Sequence, residues 1–465
     1  MRRCFSAAVL FVTLAACQAQ TRLMMTTVVP STNFNGQTSY GELTQGNDGY
    51  LYGTTYDGGA FGKGSYFKTT LDGAITFVAF DGTNGAQPYR APVQAVDGNL
   101  YGVACLGGDR GLGTVYQIDT NGAVHAIYSF DGTNGSDPVA LVLASDGVLY
   151  GSTYYGGIGL DETPYSGNGV VFKVTTNGTY TRLASFSETN TLPENIVAAG
   201  GGYIYGTTVM GGEYRLGTVF RMTPDGQLTT LVTFNGTNGA RPTSLISGSD
   251  GFLYGTTDQG GNGFTGNNAG WPYGVGWGTV FKVSTNGDFS TLRFFSCTDA
   301  AFPRGRLIEV TTGLFYGTTY WGGKNGAGTV FQITSDGQFA DLLQYDSWWG
   351  RNCLPWSGLT KGSDGNYYGI DCGVNQWKMI IYCLRPVEAP VLRHKFQSDQ
   401  ITLSWNVWGG FSYWLSYKTN LDEPVWHDTM WMNLETNGVM SYTEPIDPVA
   451  PRFYKVGFNI PDPWW

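Results

Sequence analysis

Short runs of alternating apolar and polar residues, each closed by Asp-Gly, Asn-Gly or Gly-Gly, recur along most of the chain. Alternation with a period of two marks a half-buried β-strand. Asp-Gly and Asn-Gly mark hairpins, because both central residues of a type I′ turn need positive φ. Residues 245–295 show the unit most clearly. Leu245 to Gly248 predicts a short innermost strand, Phe252 to Thr257 a second, Gly278 to Val283 a third and Phe289 to Phe295 a fourth. The second strand carries a phrase ending in Tyr-Gly, found at Tyr52, Tyr101, Tyr150, Tyr205, Tyr254 and Tyr316 and, more weakly, at Tyr368. The commonest spacing is 49 residues (52 to 101, 101 to 150, 205 to 254), and the longer intervals hold insertions. A period near 50 residues with several short strands per unit predicts β-propeller blades.

The two ends of the array complete each other. The copy from Gly358 to Leu384 has inner strands but no fourth-strand phrase before Pro386, while Met24 to Val29 supplies such a phrase with no inner strands of its own. Seven complete units exist only if both ends share a blade, so a seven-bladed propeller closed by the N-terminal strand is expected. Closure would leave no open sheet edge between first and last blades. The repeated aromatic-Tyr-Gly-Thr-Thr, Gly-Gly and Gly-Thr-Val-Phe phrases resemble the GloVer-type (Gloeobacter/Verrucomicrobia) tandem repeat over roughly residues 24–385. That resemblance implies export and a propeller-like array, and brings no catalytic residues with it. After Pro386 the texture changes. Ile401 to Trp405, Tyr413 to Tyr417 and Phe453 to Val456 predict a small β-sandwich over 386–465, similar to the C-terminal, fibronectin-III-like module of exported proteins from the same bacteria.

Composition adds three constraints. Charged residues are scarce at 13% while glycine reaches 69 residues, which suits an all-β chain rich in tight turns. A formal net charge of −10 without any basic run argues against nucleic acid or an anionic membrane surface as partner. At the N-terminus, Arg2 and Arg3 precede an apolar run from Ala7 to Ala16, so residues 1–20 read as a secretory signal. Leu14-Ala15-Ala16-Cys17 has the form of a lipobox, making Cys17 the expected lipidation site, with simple cleavage after Ala19 the alternative. A periplasmic, outer-membrane or extracellular monomer is expected, touching membrane only through that anchor. Export permits disulfides, and Cys372–Cys383 and Cys297–Cys353 are the expected pairs, leaving Cys105 free.

In a propeller the long second-to-third loops and the blade connections lie around one mouth of the channel, and such loops carry function. The Asp161–Glu162 loop and the loop holding Trp271 and Tyr273, with Trp277 at its end, are expanded. Trp321 and the connection Trp348-Trp349-Gly350-Arg351, continuing to Trp356, fall nearby in the repeat frame. Indoles interleaved with Asn and Asp suit sugar rings, whose apolar faces stack while their hydroxyls find polar partners. A polysaccharide or surface glycan is therefore the expected ligand. The alternatives are a polysaccharide lyase or glycosidase on the same face, and an adhesion module with protein partners. For catalysis the candidates are Asp161 and Glu162 as paired acids, or Arg304, Arg351 and Tyr320 for neutralising a uronate and abstracting its proton. His125 is the one histidine of the repeats, so a His-based triad is excluded there. No metal or cofactor is called for. The Asp81-Gly82-Thr83-Asn84-Gly85 loops offer oxygens that could bind Ca²⁺, but Asx turns explain them fully.

Overall fold

A computed structural model describes residues 22–34, 38–159, 163, 166–187, 191–265, 276–345, 355–373, 378–387, 392–397, 400–407, 412–419, 422, 425–433, 438–445 and 452–459. The chain is all-β, and the described residues contain no α-helix. They form two compact units: residues 27–385, and residues 1–26 with 386–465.

In the larger unit the described residues form seven antiparallel sheets of four or five strands, over residues 44–79, 86–129, 136–185, 193–233, 240–294, 308–344 and 360–387. The first six run sequentially from inner to outer strand. In the seventh, Arg22–Val29 lies beside Lys378–Val387 as the outermost strand. The fifth sheet holds Ala240–Ser247, Leu253–Gln259, Thr279–Val283 and Phe289–Phe294. Its first strand begins five residues before the sequence-predicted start and takes in Pro242, with a register shift between Pro242 and Ser244. Proline is tolerated there because an innermost strand has one edge free of ladder bonds.

Three contacts recur and explain the repeat. In five of the seven copies the Tyr of the Tyr-Gly phrase donates its hydroxyl to the Asp of the preceding turn: Tyr52 to Asp48 at 2.6 Å, Tyr101 to Asp97 at 2.7 Å, Tyr150 to Asp146 at 3.1 Å, Tyr254 to Asp250 at 2.6 Å and Tyr368 to Asp364 at 2.7 Å. The Gly that follows faces the aromatic ring of the third strand. Gly151 pairs with Phe172 and Gly255 with Phe281, and a Cβ at either would overlap the ring. Finally, each sheet is pinned to the next through a proline. Pro138 Cδ lies against Gly113 and Pro242 Cδ against Gly217, both glycines at positive φ. The residues before these prolines, with Gln87, Leu192 and Phe302, hold φ between 50° and 55°. Such left-handed backbone costs about 1–2 kcal/mol per non-glycine residue. It is held by amide bonds to the preceding sheet, Asp137 N to Leu112 O at 3.0 Å and Arg241 N to Leu216 O at 2.8 Å.

First and last sheets meet as well. Val29, Phe34, Leu43 and Phe67 share one buried cluster with Ile370, Met379 and Ile381, and the Thr360 hydroxyl donates to Leu43 O at 2.5 Å.

The smaller unit has two three-stranded antiparallel sheets. One holds Arg393–Gln397, Gln400–Val407 and Gly438–Pro445; the other holds His427–Asn433, Ser412–Lys418 and Phe453–Asn459. Ile401, Leu403, Trp405 and Val407 alternate inward from a single strand, and Tyr413, Leu415 and Met440 join them in the core.

The expected Cys372–Cys383 disulfide is corrected by the register. Cys372 stands opposite Met379 and Cys383 opposite Tyr368, so the two are four positions out of register along the hairpin. A disulfide needs Cα atoms within about 7 Å. Cys383 is buried with a free thiol, pushed up by burial. Cys297 is exposed and free, and its expected partner Cys353 lies outside the described residues. Cys105 is free as expected, and burial pushes its thiol well up.

Candidate functional site

The inner ends of all seven sheets of the larger unit contribute to one cavity of about 320 Å³, at the small end of the roughly 300–1,000 Å³ typical of ligand sites. Tyr40 and Glu42 come from the first sheet, Tyr89 and Arg90 from the second, Tyr154 from the third and Glu194 from the fourth. Arg241 and Asp258 come from the fifth, Arg304 and Arg306 from the sixth, and Trp356 from the seventh. Many of these side chains are placed by the proline pins. Tyr89, Glu194, Arg304 and Trp356 directly follow Pro88, Pro193, Pro303 and Pro355, and Arg241 directly precedes Pro242.

Four guanidiniums face three carboxylates. Glu194 is the most enclosed acid. Its Oε1 accepts from Arg90 Nη2 at 2.9 Å, and its Oε2 accepts from the Tyr154 hydroxyl. Burial pushes the Glu194 carboxyl up, against the pull of Arg90. Burial pulls the Arg90 guanidinium down, but Glu194 and Glu42 outweigh it and the net direction is up. Glu42 also lies 3.8 Å from Arg306, and Arg304 lies 3.5 Å from Asp258. Burial, with Glu194 nearby, pushes the Tyr89 hydroxyl up to about 12.

Aromatic faces complete the walls. Tyr40 stacks on Tyr89 at 5.5 Å and meets Trp356 edge-on at 5.4 Å. Arg304 lies 4.3 Å from the Trp356 ring centroid and 4.8 Å from that of Tyr320. The arrangement offers ring faces for stacking, guanidiniums for an anion and carboxylate oxygens for hydroxyl donors.

Of the sequence-predicted residues, Arg304 lines this cavity and Tyr320 backs it through Trp356, 4.9 Å away. Trp277 is half-buried, packed on Phe302 at 5.7 Å against the core between the fifth and sixth sheets. Trp321 is 36% exposed and sits beside Phe302, at 6.3 Å, rather than in the cavity wall. Asp161, Glu162, Trp271, Tyr273, Trp348, Trp349, Arg351 and Cys17 lie outside the described residues. His125 is on an outermost strand, Val124–Ser129, 3.4 Å from Asp119. In the Asp81 loop, Asp81 Oδ1 accepts from the Thr83 amide at 2.8 Å, the Thr83 hydroxyl at 2.7 Å and the Asn84 amide at 3.0 Å, a closed Asx turn. Among the described residues no group of three or more His, Cys, Asp or Glu could hold a metal ion.

Sequence reasoning missed Arg90, Glu194, Arg241, Asp258 and Arg306, and reached Trp356 only as the end of the aromatic connection from Trp348. The available signal was variation beside constancy. Six prolines recur at one place in the unit, while their neighbours change from Tyr-Arg to Glu-Asn to Arg-Gly.

Together, a tandem-repeat chain of four-stranded antiparallel sheets around a shared cavity defines a β-propeller-like protein. The chain belongs to the family described as the Gloeobacter/Verrucomicrobia repeat, whose model matches residues 13–165 and 193–402. No curated protein matches it. Among solved structures it is similar to a gluconolactonase from Xanthomonas campestris (14% identity, 81% of this chain and 94% of that one, TM-score 0.41). A puromycin-hydrolyzing peptidase from Mycobacterium tuberculosis is similar at 10% identity, over 83% of this chain and 61% of that one, with a TM-score of 0.47. PorZ, a surface component of the type-IX secretion system of Porphyromonas gingivalis, is similar at 11% identity, over 91% and 59%, with a TM-score of 0.48.

Proposed function

We propose that this protein is an exported, seven-bladed β-propeller that binds carbohydrate in the cavity where its blades meet. The observation that carries the reading is the cavity's lining: Tyr40, Tyr89, Tyr154 and Trp356 present aromatic faces beside Glu42, Glu194, Asp258 and four arginines. A sugar needs that mixture, with apolar faces for its C–H surface and charged acceptors and donors for its hydroxyls. The shared cluster of Val29 and Phe34 with Ile370 and Met379 supports ring closure by the N-terminal strand. The C-terminal unit, of fibronectin-III-like kind in this reading, accompanies the propeller as a separate module.

The test is direct binding of the purified mature chain to a polysaccharide panel. Trp356→Ala is expected to weaken the best ligand by about 1–3 kcal/mol, the scale of burying a large apolar side chain. A useful control is Trp431→Ala, in the C-terminal unit, where that indole is 60% exposed and stacked on Trp414 at 5.3 Å. An equal loss in the control would move the site to that unit, and no binding by any panel member would end the carbohydrate reading.

One observation favours a polysaccharide-cleaving enzyme as the second reading. The Tyr154 hydroxyl donates to Glu194 at the cavity wall, which sets an acid and a carboxylate side by side as general acid–base work requires. Reducing ends or unsaturated products, followed in the same incubations, would select it over simple binding.

Export with a lipid anchor at Cys17 has its own check. Cys17→Ser is expected to abolish lipid labelling and release the protein from the membrane fraction, because only a thiol accepts the diacylglyceryl group. A native protein that carries no lipid label would retire the anchor.

A further inference from the structure

We infer that the sugar this cavity takes is a carboxylated one, a uronic-acid residue, and that Arg241 is the group that holds its carboxylate. The inference rests on the carbohydrate reading above and goes further by naming the ligand's charge and its anchor.

Three of the four cavity guanidiniums already have acids. Arg90 is held by Glu194 at 2.9 Å with Glu42 at 4.0 Å, Arg304 by Asp258 at 3.5 Å, and Arg306 by Glu42 at 3.8 Å. Arg241 has no carboxylate within ion-pair distance among the described residues, and its Nε is buried without an acceptor. Glu194 feels the Arg241 charge, but its two oxygens are taken by Arg90 and Tyr154. A guanidinium cannot escape by losing its proton, so an unpaired one at a buried wall is stabilised only by an anion brought to it or by water.

Arg241 is also held still. Its backbone is fixed at φ 54° by the bond from its amide to Leu216 O, and Pro242 is seated on Gly217. That anchored backbone keeps the arginine at the cavity wall, and its planar guanidinium offers the two parallel hydrogen bonds a carboxylate accepts. A second open group complements it. Asp258 Oδ1 is buried without a donor, and a sugar hydroxyl supplies one. The same acids argue against a phosphorylated ligand. A dianion would sit beside Glu42, Glu194 and Asp258 with only one unpaired guanidinium to offset it, whereas a single carboxylate matches that one charge.

The experiment compares a uronic-acid oligosaccharide with its carboxyl-reduced, neutral counterpart on the full mature chain by calorimetry, with inorganic phosphate as competitor. The wild type is expected to bind the acidic oligosaccharide at least about 10-fold more tightly than the reduced one, a modest charge-assisted gain. Arg241→Gln is expected to erase that difference while leaving the neutral ligand's affinity within about twofold, and Arg241→Lys to keep part of it. Equal affinity of the wild type for both oligosaccharides would overturn the carboxylate assignment while leaving the carbohydrate reading intact. Binding of neither would remove the carbohydrate reading itself. Displacement by phosphate at concentrations below the oligosaccharide's own Kd would overturn the choice of carboxylate. The wild-type comparison alone decides the charge question if Arg241→Gln fails to fold.

Discussion

Gly113→Ala is expected to destabilise the larger unit by about 2–5 kcal/mol, and two causes add to give that figure. Gly113 has φ of 107°, where an L-residue is strained by about 1–2 kcal/mol. The new Cβ would also overlap Pro138 Cδ and come within 2.8 Å of Ala104 O and 2.9 Å of Cys105 O, so backbone and a ring, not a flexible chain end, must move. Overpacking of that kind costs about 1–3 kcal/mol. Because Pro138 belongs to the next sheet, the damage falls on the joint between two sheets. The comparison variant is Gly147→Ala, at φ 77° with nothing within 4 Å of its would-be Cβ, which carries the strain without the clash. Chemical denaturation of both separates the causes. If Gly113→Ala cost no more than Gly147→Ala, the proline pin would be a passive contact and would not set how the sheets join. Pro138→Ala in the Gly113→Ala background should then recover part of the loss only if the clash is real, since it removes the Cδ atom.

These pins also explain which parts of the molecule were legible in the sequence. Strand order and turns were readable because they depend on local chemistry: the Tyr-Gly phrase needs a glycine under Phe172 or Phe281, and its tyrosine needs an acceptor such as Asp97 or Asp250. Every copy keeps the Tyr-Gly pair and most keep the turn Asp, so repetition exposes them. The cavity was not readable by that route, because one unit contributes Tyr89 and Arg90, another Glu194, another Arg241, and no two contribute the same set of side chains. A search for constancy passes over a site made of differences. It also misjudged the large aromatics. Trp277 stood out in the sequence, but in the fold it is half-buried against Phe302, filling space at the end of an enlarged loop. Trp356, one tryptophan among several in its stretch, reaches the cavity because it follows Pro355. The disulfide expectation failed for a related reason. Two cysteines flanking one hairpin look paired on paper, but a register fixed by Tyr368 opposite Cys383 separates them along the strands.

Removing residues 22–34 is expected to have the larger consequence, because it takes away both an outer strand and part of the cluster that joins the first sheet to the seventh. The segment supplies Arg22–Val29, the outermost strand of the seventh sheet, together with Phe34. Val29 and Phe34 are both fully buried in the cluster that joins the first sheet to the seventh. Losing a buried valine and a buried phenylalanine costs about 1.5–3 kcal/mol each in burial alone, before any cavity term. The edge of Lys378–Val387 would then present unpaired amides and carbonyls beside an uncovered apolar surface, a template for aggregation. Taken together, the loss should reach about 5 kcal/mol or more, enough to lower the melting temperature clearly and to favour self-association. A synthetic peptide covering residues 22–34, added to the truncated protein, should restore part of the lost stability in a concentration-dependent way, because it refills the same groove and binds only the folded form. That rescue distinguishes a closing strand from a segment whose removal merely exposes hydrophobic surface. A truncated chain that melts with the full-length protein and ignores the peptide would show that the sheets hold together without this strand, and the join between first and last sheets would rest on contacts such as that between Thr360 and Leu43 instead.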